Sequence, residues 1–280
     1  MFFMNDVVGT IRIFLCVLLI LTVSISDTIA YDPVSTENTL KQLFKNLNQP
    51  GSDVDRKKTS NEIKAVLEGA LKYPDSFWYP FDSVSVLGNI YSQDSTLRVF
   101  TWSYSDSPMV YKYFGFLQHR DPQKESISVI FLDHKDVVSD FNEDSVYTNE
   151  NWYGALYYQV RVMHHNDEVF YTLIGFDFND VFTNKKLIDI LTIKEGVANF
   201  GAPLFYFGYE ARNRVIFEYS SAVVMFLRFM DGNNMIIYDH LSPSSPRFRG
   251  QYRYYGPDLS YDALRFDNGR WIHFPDVEPQ

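Results

Sequence analysis

Polar and apolar positions follow two different periods along this chain. In residues 35–48, Leu40, Leu43, Phe44 and Leu47 fall at i, i+3, i+4 and i+7, the repeat of one helical face. Gln49-Pro50-Gly51-Ser52 ends that pattern, since proline and glycine do not continue a helical hydrogen-bond ladder. A second helical stretch opens at Thr59 with Glu62 three residues on, the spacing of a capping box. It carries Ile63, Val66, Leu67, Ala70 and Leu71 up to Pro74. A helical element over about 35–73 therefore has apolar faces to bury on something larger.

From Ser83 onward the period drops to two. Leu97, Val99 and Thr101 alternate with Arg98, Phe100 and Trp102. Similar runs recur at 109–118, 126–132, 152–163, 168–176, 186–193, 203–209, 213–219, 222–230 and 234–239. Asn166-Asp167 joins two of them by a tight loop, which favours an antiparallel hairpin, and Asn268-Gly269 is a second turn signal. Strands do not alternate with long helical patterns, so a doubly wound parallel sheet is disfavoured. The expected fold class is α+β, mainly β. It is an antiparallel β meander of about ten to thirteen strands, a sandwich or a strongly curved sheet, with two N-terminal amphipathic helices. Propeller blades would need a repeat of ~40–45 residues with shared motifs, and none is found. Residues 31–280 read as one β-rich domain, since no long Pro-, Gly- or Ser-rich linker divides them.

The first 30 residues fit neither pattern. Arg12 precedes an apolar run from Ile13 to Val23, followed by Ser24, Ser26, Thr28 and Ala30. This is the arrangement of a secretory signal peptide, with Thr28 and Ala30 at the −3 and −1 positions and cleavage before Tyr31. The run is shorter than the ~20 residues of a spanning helix, so no membrane span is expected after cleavage. The single cysteine, Cys16, lies inside it. The exported chain, periplasmic, cell-surface or extracellular, would then carry neither thiol nor disulfide.

Composition narrows the reading further. Hydrophobic residues make up 46% and charged residues 21%, which is the balance of a folded chain. The net charge of −10 opposes binding to phosphate backbones, so no nucleic-acid partner is expected. Aromatic residues reach 17%, mostly a sheet and core signal. Two runs differ in being flanked by small or polar residues: Trp152-Tyr153-Gly154-Ala155-Leu156-Tyr157-Tyr158 and Gln251-Tyr252-Arg253-Tyr254-Tyr255. Exposed rings there would stack on sugars or on a protein partner.

Five phrases occur together in order: Lys72-Tyr73-Pro74-Asp75-Ser76-Phe77, Leu97-Arg98-Val99-Phe100-Thr101-Trp102, Trp152 to Tyr158, Asp239-His240-Leu241-Ser242-Pro243, and Tyr255-Gly256-Pro257-Asp258-Leu259-Ser260-Tyr261-Asp262. In this order the chain resembles an uncharacterised family of exported proteins of Bacteroidota-type bacteria. The resemblance implies a compartment and a shared fold, and supplies no reaction, ligand or catalytic residue.

Candidate chemistry is sparse. Asp177, Asn179 and Asp180 would begin a calcium loop only with Gly and Glu further on, where Phe182 and Ile188 stand, so the segment reads as a polar turn. Asp239-His240 is at most half of a hydrolytic dyad. No G-x-S-x-G elbow is present, and Ser242, Ser244 and Ser245 lie in a Pro-rich turn. His164 and His165, adjacent on a strand, point to opposite faces. No metal and no cofactor are expected. Asp239, Asp258, Asp262 and Glu218 are the acids nearest aromatic residues, where a pair would be needed for glycoside hydrolysis.

The expected binding surface is Tyr254, Tyr255, Asp258, Tyr261 and Asp262, joined by Trp152 or His240, with Gly256-Pro257 fixing a turn between two aromatic-acid groups. The functional expectation is an exported, non-catalytic binding or structural module of the cell envelope, with a glycan or a protein as its partner. The competing class is a secreted, carboxylate-dependent hydrolase acting on glycans. A third reading, a subunit of an envelope assembly, requires a contiguous exposed apolar patch.

Overall fold

The structure, a computed structural model, describes residues 31–278 apart from 108–109, 122–125, 135–141, 231 and 233. The apolar run of the first 30 residues, with Cys16, lies outside the described residues. Helix α1 (Pro33–Leu47) starts where the Asp32 side chain accepts hydrogen bonds from the Val34 and Ser35 amides. Helix α2 (Asp53–Leu71) starts two turns before the predicted Thr59. Ser52 and Asp55 form its capping box, and the carboxylates of Asp53 and Asp55 sit at the positive end of the helix. Polar residues hid this first stretch from an apolar-period reading.

The next strands form a meander in chain order: β1 (Gly88–Tyr91), β2 (Leu97–Ser107), β3 (Val110–Asp121) and β4 (Ser126–Asp133). A second sheet follows from β5 (Tyr147–Thr148), β6 (Leu156–His165), β7 (Glu168–Asp177), β8 (Thr183–Lys194) and β9 (Val197–Phe200), in the order β5-β9-β8-β7-β6. The hairpin between β6 and β7 turns on Asn166 and Asp167, at φ 48° and 64°, as the sequence predicts. The chain then leaves for the third sheet as β10 (Phe205–Phe207) and β11 (Glu210–Arg212). It returns as β12 (Arg214–Ser220), paired along β8. It leaves again as β13 (Leu227–Met230), β14 (Met235–Pro243), β15 (Tyr255–Asp267) and β16 (Arg270–Phe274). The third sheet runs β11-β10-β16-β15-β14-β13.

Strand alternation explains the layering. In β2, Phe100, Trp102 and Tyr104 face the helices, where Leu40, Phe44, Ile63, Leu67 and Leu71 meet them. Leu97 and Val99 face the second sheet and pack with Tyr157, Tyr171, Leu173, Leu187 and Leu191. The opposite parity of β7 and β8 sends Ile174, Ile188 and Ile190 against Leu227, Ile236, Leu264 and Trp271 of the third sheet. Helices, first sheet, second sheet and third sheet thus stack as four layers. The first two sheets are covered on both faces, which is why their strands are apolar on both parities.

The fold is α+β and mainly β, as the sequence predicts, with three sheets in place of one meander. The described residues hold 16 strands. Short β1, β5, β9 and β11 carry too little alternation to be seen in the sequence, and β15 and β16 lie beyond its last predicted run at 234–239. The one parallel pair among the described strands is β10 with β16, where Phe205 lies opposite Trp271. It arises because β10 enters the third sheet by a crossover rather than a hairpin.

Among the described residues two arginines are fully buried at 0% exposure, Arg98 and Arg214. Arg98 donates to the carbonyls of Ser76, Phe77 and Tyr79 at 2.8–2.9 Å and to Asn89 Oδ1 at 2.8 Å. Arg214 donates to the carbonyls of Asn142, Ser145 and Phe200 at 2.9, 2.7 and 3.1 Å, and its Nε lies 3.3 Å from Asp189. Each guanidinium satisfies several backbone carbonyls at once and ties loops to a sheet.

Candidate functional site

The pairing of β14 and β15 breaks once. Asp239 lies opposite Tyr261, but Leu241 lies opposite Pro257, so Asp258, Leu259 and Ser260 bulge out facing His240. Leu259 has φ 76° and is 92% exposed. A left-handed conformation costs a bulky residue about 1–2 kcal/mol, so the surroundings must hold it. Asp258 does so. It accepts from Ser242 Oγ at 2.7 Å, Ser260 Oγ at 2.7 Å and the Ser260 amide at 3.1 Å. Burial pushes the Asp258 carboxyl up, and these hydrogen bonds outweigh it and hold the group below the ordinary carboxylate range.

Directly beyond the bulge, His240 Nδ1 lies 2.9 Å from Asp262 Oδ2. His273 Nε2 lies 3.4 Å from the same oxygen, and the Asp276 amide donates to Asp262 Oδ1 at 3.0 Å. Asp262 therefore joins β14, β16 and the C-terminal segment. Burial pushes its carboxyl up, but the His240, Asp276 and His273 contacts prevail and lower it. The hydrogen bond to Asp262 raises His240, whose side chain remains 47% exposed.

Toward the other end of β14 and β15 an open groove of about 390 Å³ runs past Ser242, Pro243, Arg253, Tyr254, Tyr255 and Asp258, with Val223 and Gly256 also in its wall. Its rim is the loop between the strands, which makes two short 3₁₀ turns, Pro246–Phe248 and Tyr252–Tyr254. Tyr254 stacks on Phe248 with ring centres 4.0 Å apart, and the Tyr255 hydroxyl accepts from the Gly250 amide at 2.9 Å. Gly256 and Pro257 make no turn. They lie within β15 opposite Ser242 and Leu241, and the chain bends at Leu259 instead. A proline is tolerated there because the register slips beside it.

The structure thus brings His240, Tyr254, Tyr255, Asp258, Tyr261 and Asp262 to one hairpin, β14–β15. Tyr261 packs edge-on against Phe226, with ring centres 6.3 Å apart. Trp152 is not with them. It is 1% exposed, in the core between the first and second sheets, and its Nε1 donates to the Tyr157 hydroxyl at 3.2 Å. Its neighbours are also engaged inside the fold. Tyr157 is buried, Tyr153 donates to Asp177, and Tyr158 donates to the Leu227 carbonyl at 3.0 Å.

The remaining acids are bound to structural tasks. Asp239 does not face its chain neighbour His240 but accepts from the Phe226 amide at 2.6 Å. Asp177 accepts from the hydroxyls of Tyr113 and Tyr153 and from the Asn179 amide. Asp180 accepts from the amides of Phe182 and Thr183, which makes the segment the polar turn its residues suggest. Glu218 accepts from Thr183 Oγ1 at 2.9 Å, on the β8–β12 pair. Sequence reasoning missed Ser242, Arg253, His273 and Leu259. Arg253 was legible in part, as the arginine inside an aromatic run. His273 and Leu259 gain meaning only from the strand register.

These features define a mainly β protein of stacked sheets with one groove-bearing hairpin. No protein-family model, no curated protein sequence and no solved structure matches the chain.

Proposed function

We propose that this protein is an exported, non-catalytic binding module of the cell envelope, and that a hydroxyl-rich chain such as a glycan lies in the β14–β15 groove. The single observation that carries the reading is the groove itself, where Tyr254, Tyr255 and Pro257 stand beside the Asp258 carboxylate and Ser242. Rings offer flat apolar area with little entropy to lose, and carboxylates and hydroxyls accept and donate the hydrogen bonds of sugar hydroxyls. Export is supported by the apolar run that ends in Ser26, Thr28 and Ala30.

Binding is favoured over hydrolysis by the state of the acids. A glycoside hydrolase needs one carboxyl held protonated, with its pKa raised, beside a second carboxylate. Asp258 and Asp262 are both held low by their donors. Tyr254→Ala should lose affinity for the envelope glycan that the parent binds, with the melting temperature preserved. The measurement is affinity electrophoresis across an envelope-glycan panel beside a thermal melt. A parent protein that binds nothing on the panel, or a variant that binds as well as the parent, refutes the reading.

A further inference from the structure

The chain is acidic overall, with a net charge of −10, yet residues 241–257 contain three arginines and no Asp or Glu. These residues are the loop that rims the groove, with its flanking strand ends. Arg247, Arg249 and Arg253 are all exposed. No ion pair among the described residues uses any of the three, whereas Arg56, Arg212 and Arg214 each pair with a carboxylate. Two of the guanidiniums lie on rings instead. Arg247 is 4.5 Å from the Phe248 ring centre, and Arg253 is 4.9 Å from that of Tyr254 and 5.7 Å from that of Phe182. A guanidinium over a ring gains a cation–π attraction, and an exposed arginine so placed keeps hydrogen-bond donors in reach of a ligand. On a surface of opposite overall charge, this is an isolated cationic strip interleaved with aromatics.

We propose that this strip selects an acidic glycan, a chain of sugars bearing carboxylates, and that Arg253 is the specificity-determining residue in the groove. The proposal rests on the glycan reading above and names its ligand class. Planar guanidiniums match carboxylates in paired hydrogen bonds, and Tyr255 and Pro257 in the groove wall offer apolar area to pyranose units. Asp258, the one acid in the groove wall, keeps its charge while its oxygens are engaged by Ser242 and Ser260, and the three arginines of the strip outnumber it. The acidic remainder of the surface disfavours a long nucleic acid, whose dense phosphates would extend beyond the strip.

The test compares polygalacturonate with its fully methyl-esterified form, which keeps the backbone and removes the charge, by titration calorimetry with the mature chain. Single-stranded DNA serves as a polyanion of another kind. The parent should bind polygalacturonate about tenfold more tightly than the ester, the scale of a few exposed charge contacts. The triple variant R247A/R249A/R253A should lose that difference, and R253A alone should lose most of it. Equal binding of acid and ester overturns the acidic specificity and leaves the glycan reading standing. Binding of neither, with an intact melt, removes both. DNA binding as tight as that of polygalacturonate, or an unaltered triple variant, also overturns the proposal.

Discussion

Arginines in two regions of this molecule sit in opposite surroundings. Arg98 and Arg214, in the first two sheets, are wholly buried, and their donors are engaged by carbonyls of neighbouring loops. Arg247, Arg249 and Arg253, on the third sheet's hairpin loop, are exposed, and Arg247 and Arg253 lie on rings. The residue type is the same, and burial decides its role. A guanidinium removed from water must satisfy its donors inside the fold. One left at the surface keeps donors for something outside. An arginine in a strand of alternating apolar residues is thus a structural clamp, whereas, among the described residues, those in the acid-free aromatic loop clamp no backbone and carry the proposal above.

The largest effect should come from the buried set. Arg214→Ala leaves Asp189 buried without its guanidinium and releases the carbonyls of Asn142, Ser145 and Phe200. Removing one partner of a buried pair costs about 3–5 kcal/mol, which denaturant unfolding would read as a large fall in midpoint. An unfolding curve like the parent's would contradict the clamp role.

A smaller effect belongs to the tie between β14, β15 and β16 in the third sheet. His240 is raised by its hydrogen bond to Asp262, so its stabilising contribution is full below the ordinary histidine pKa and fades as pH rises through the raised value. The acids facing it are Asp258, Asp262 and Asp276, with His273 on the same Asp262 oxygen. Asp262 is lowered, so its share is present above the ordinary carboxylate range and is lost only in strong acid. Melting between mildly acidic and mildly alkaline pH should therefore show a downward slope that His240→Ala flattens. Solvent screening of the half-exposed ring keeps the difference below about 1 kcal/mol. A parent melt that is flat across this range would remove the tie.

The smallest effect on stability sharpens the contrast. R247A/R249A/R253A should shift unfolding by no more than about 0.5 kcal/mol, since surface changes that break no buried contact are nearly neutral. A fall comparable to that of Arg214→Ala would mean that the loop arginines are clamps too.

How much of this was legible depends on the range of the interactions involved. The two helices, the period-two runs up to 239 and the Asn166-Asp167 hairpin are local, and the sequence predicts them; β15 and β16 were missed, because Gly256-Pro257 inside β15 read as a turn. The start of α2 was missed because Asp53 to Ser60 is nearly all polar, with only Val54 to mark a face. The division into three sheets is set by packing between layers, which no local period encodes. At the site, His240 and Asp262 were both singled out, but the sequence paired His240 with Asp239, its chain neighbour. Strand alternation turns those two side chains apart, and only the register with β15 supplies the real partner. Trp152 shows the reverse error. Small and polar flanks suggested an exposed ring, whereas Gly154 and Ala155 let the chain pack closely: a Cβ on Gly154 would stand 2.9 Å from the Tyr113 ring.

The double crossing of the chain between the second and third sheets has a consequence for folding order. The helices and the first sheet are complete by Asp133, so this layer pair can close while the rest is still being synthesised. The second sheet has no such independence. One edge of β8 is shared between β9 and β12, and the chain reaches β12 only after laying down β10 and β11 in the third sheet. Those two strands in turn wait for β16, near the end of the chain, to receive them. The second and third sheets are sewn together by one thread, so they rise and fall as one cooperative unit, slower to form than the helical layer because its contacts span more of the chain.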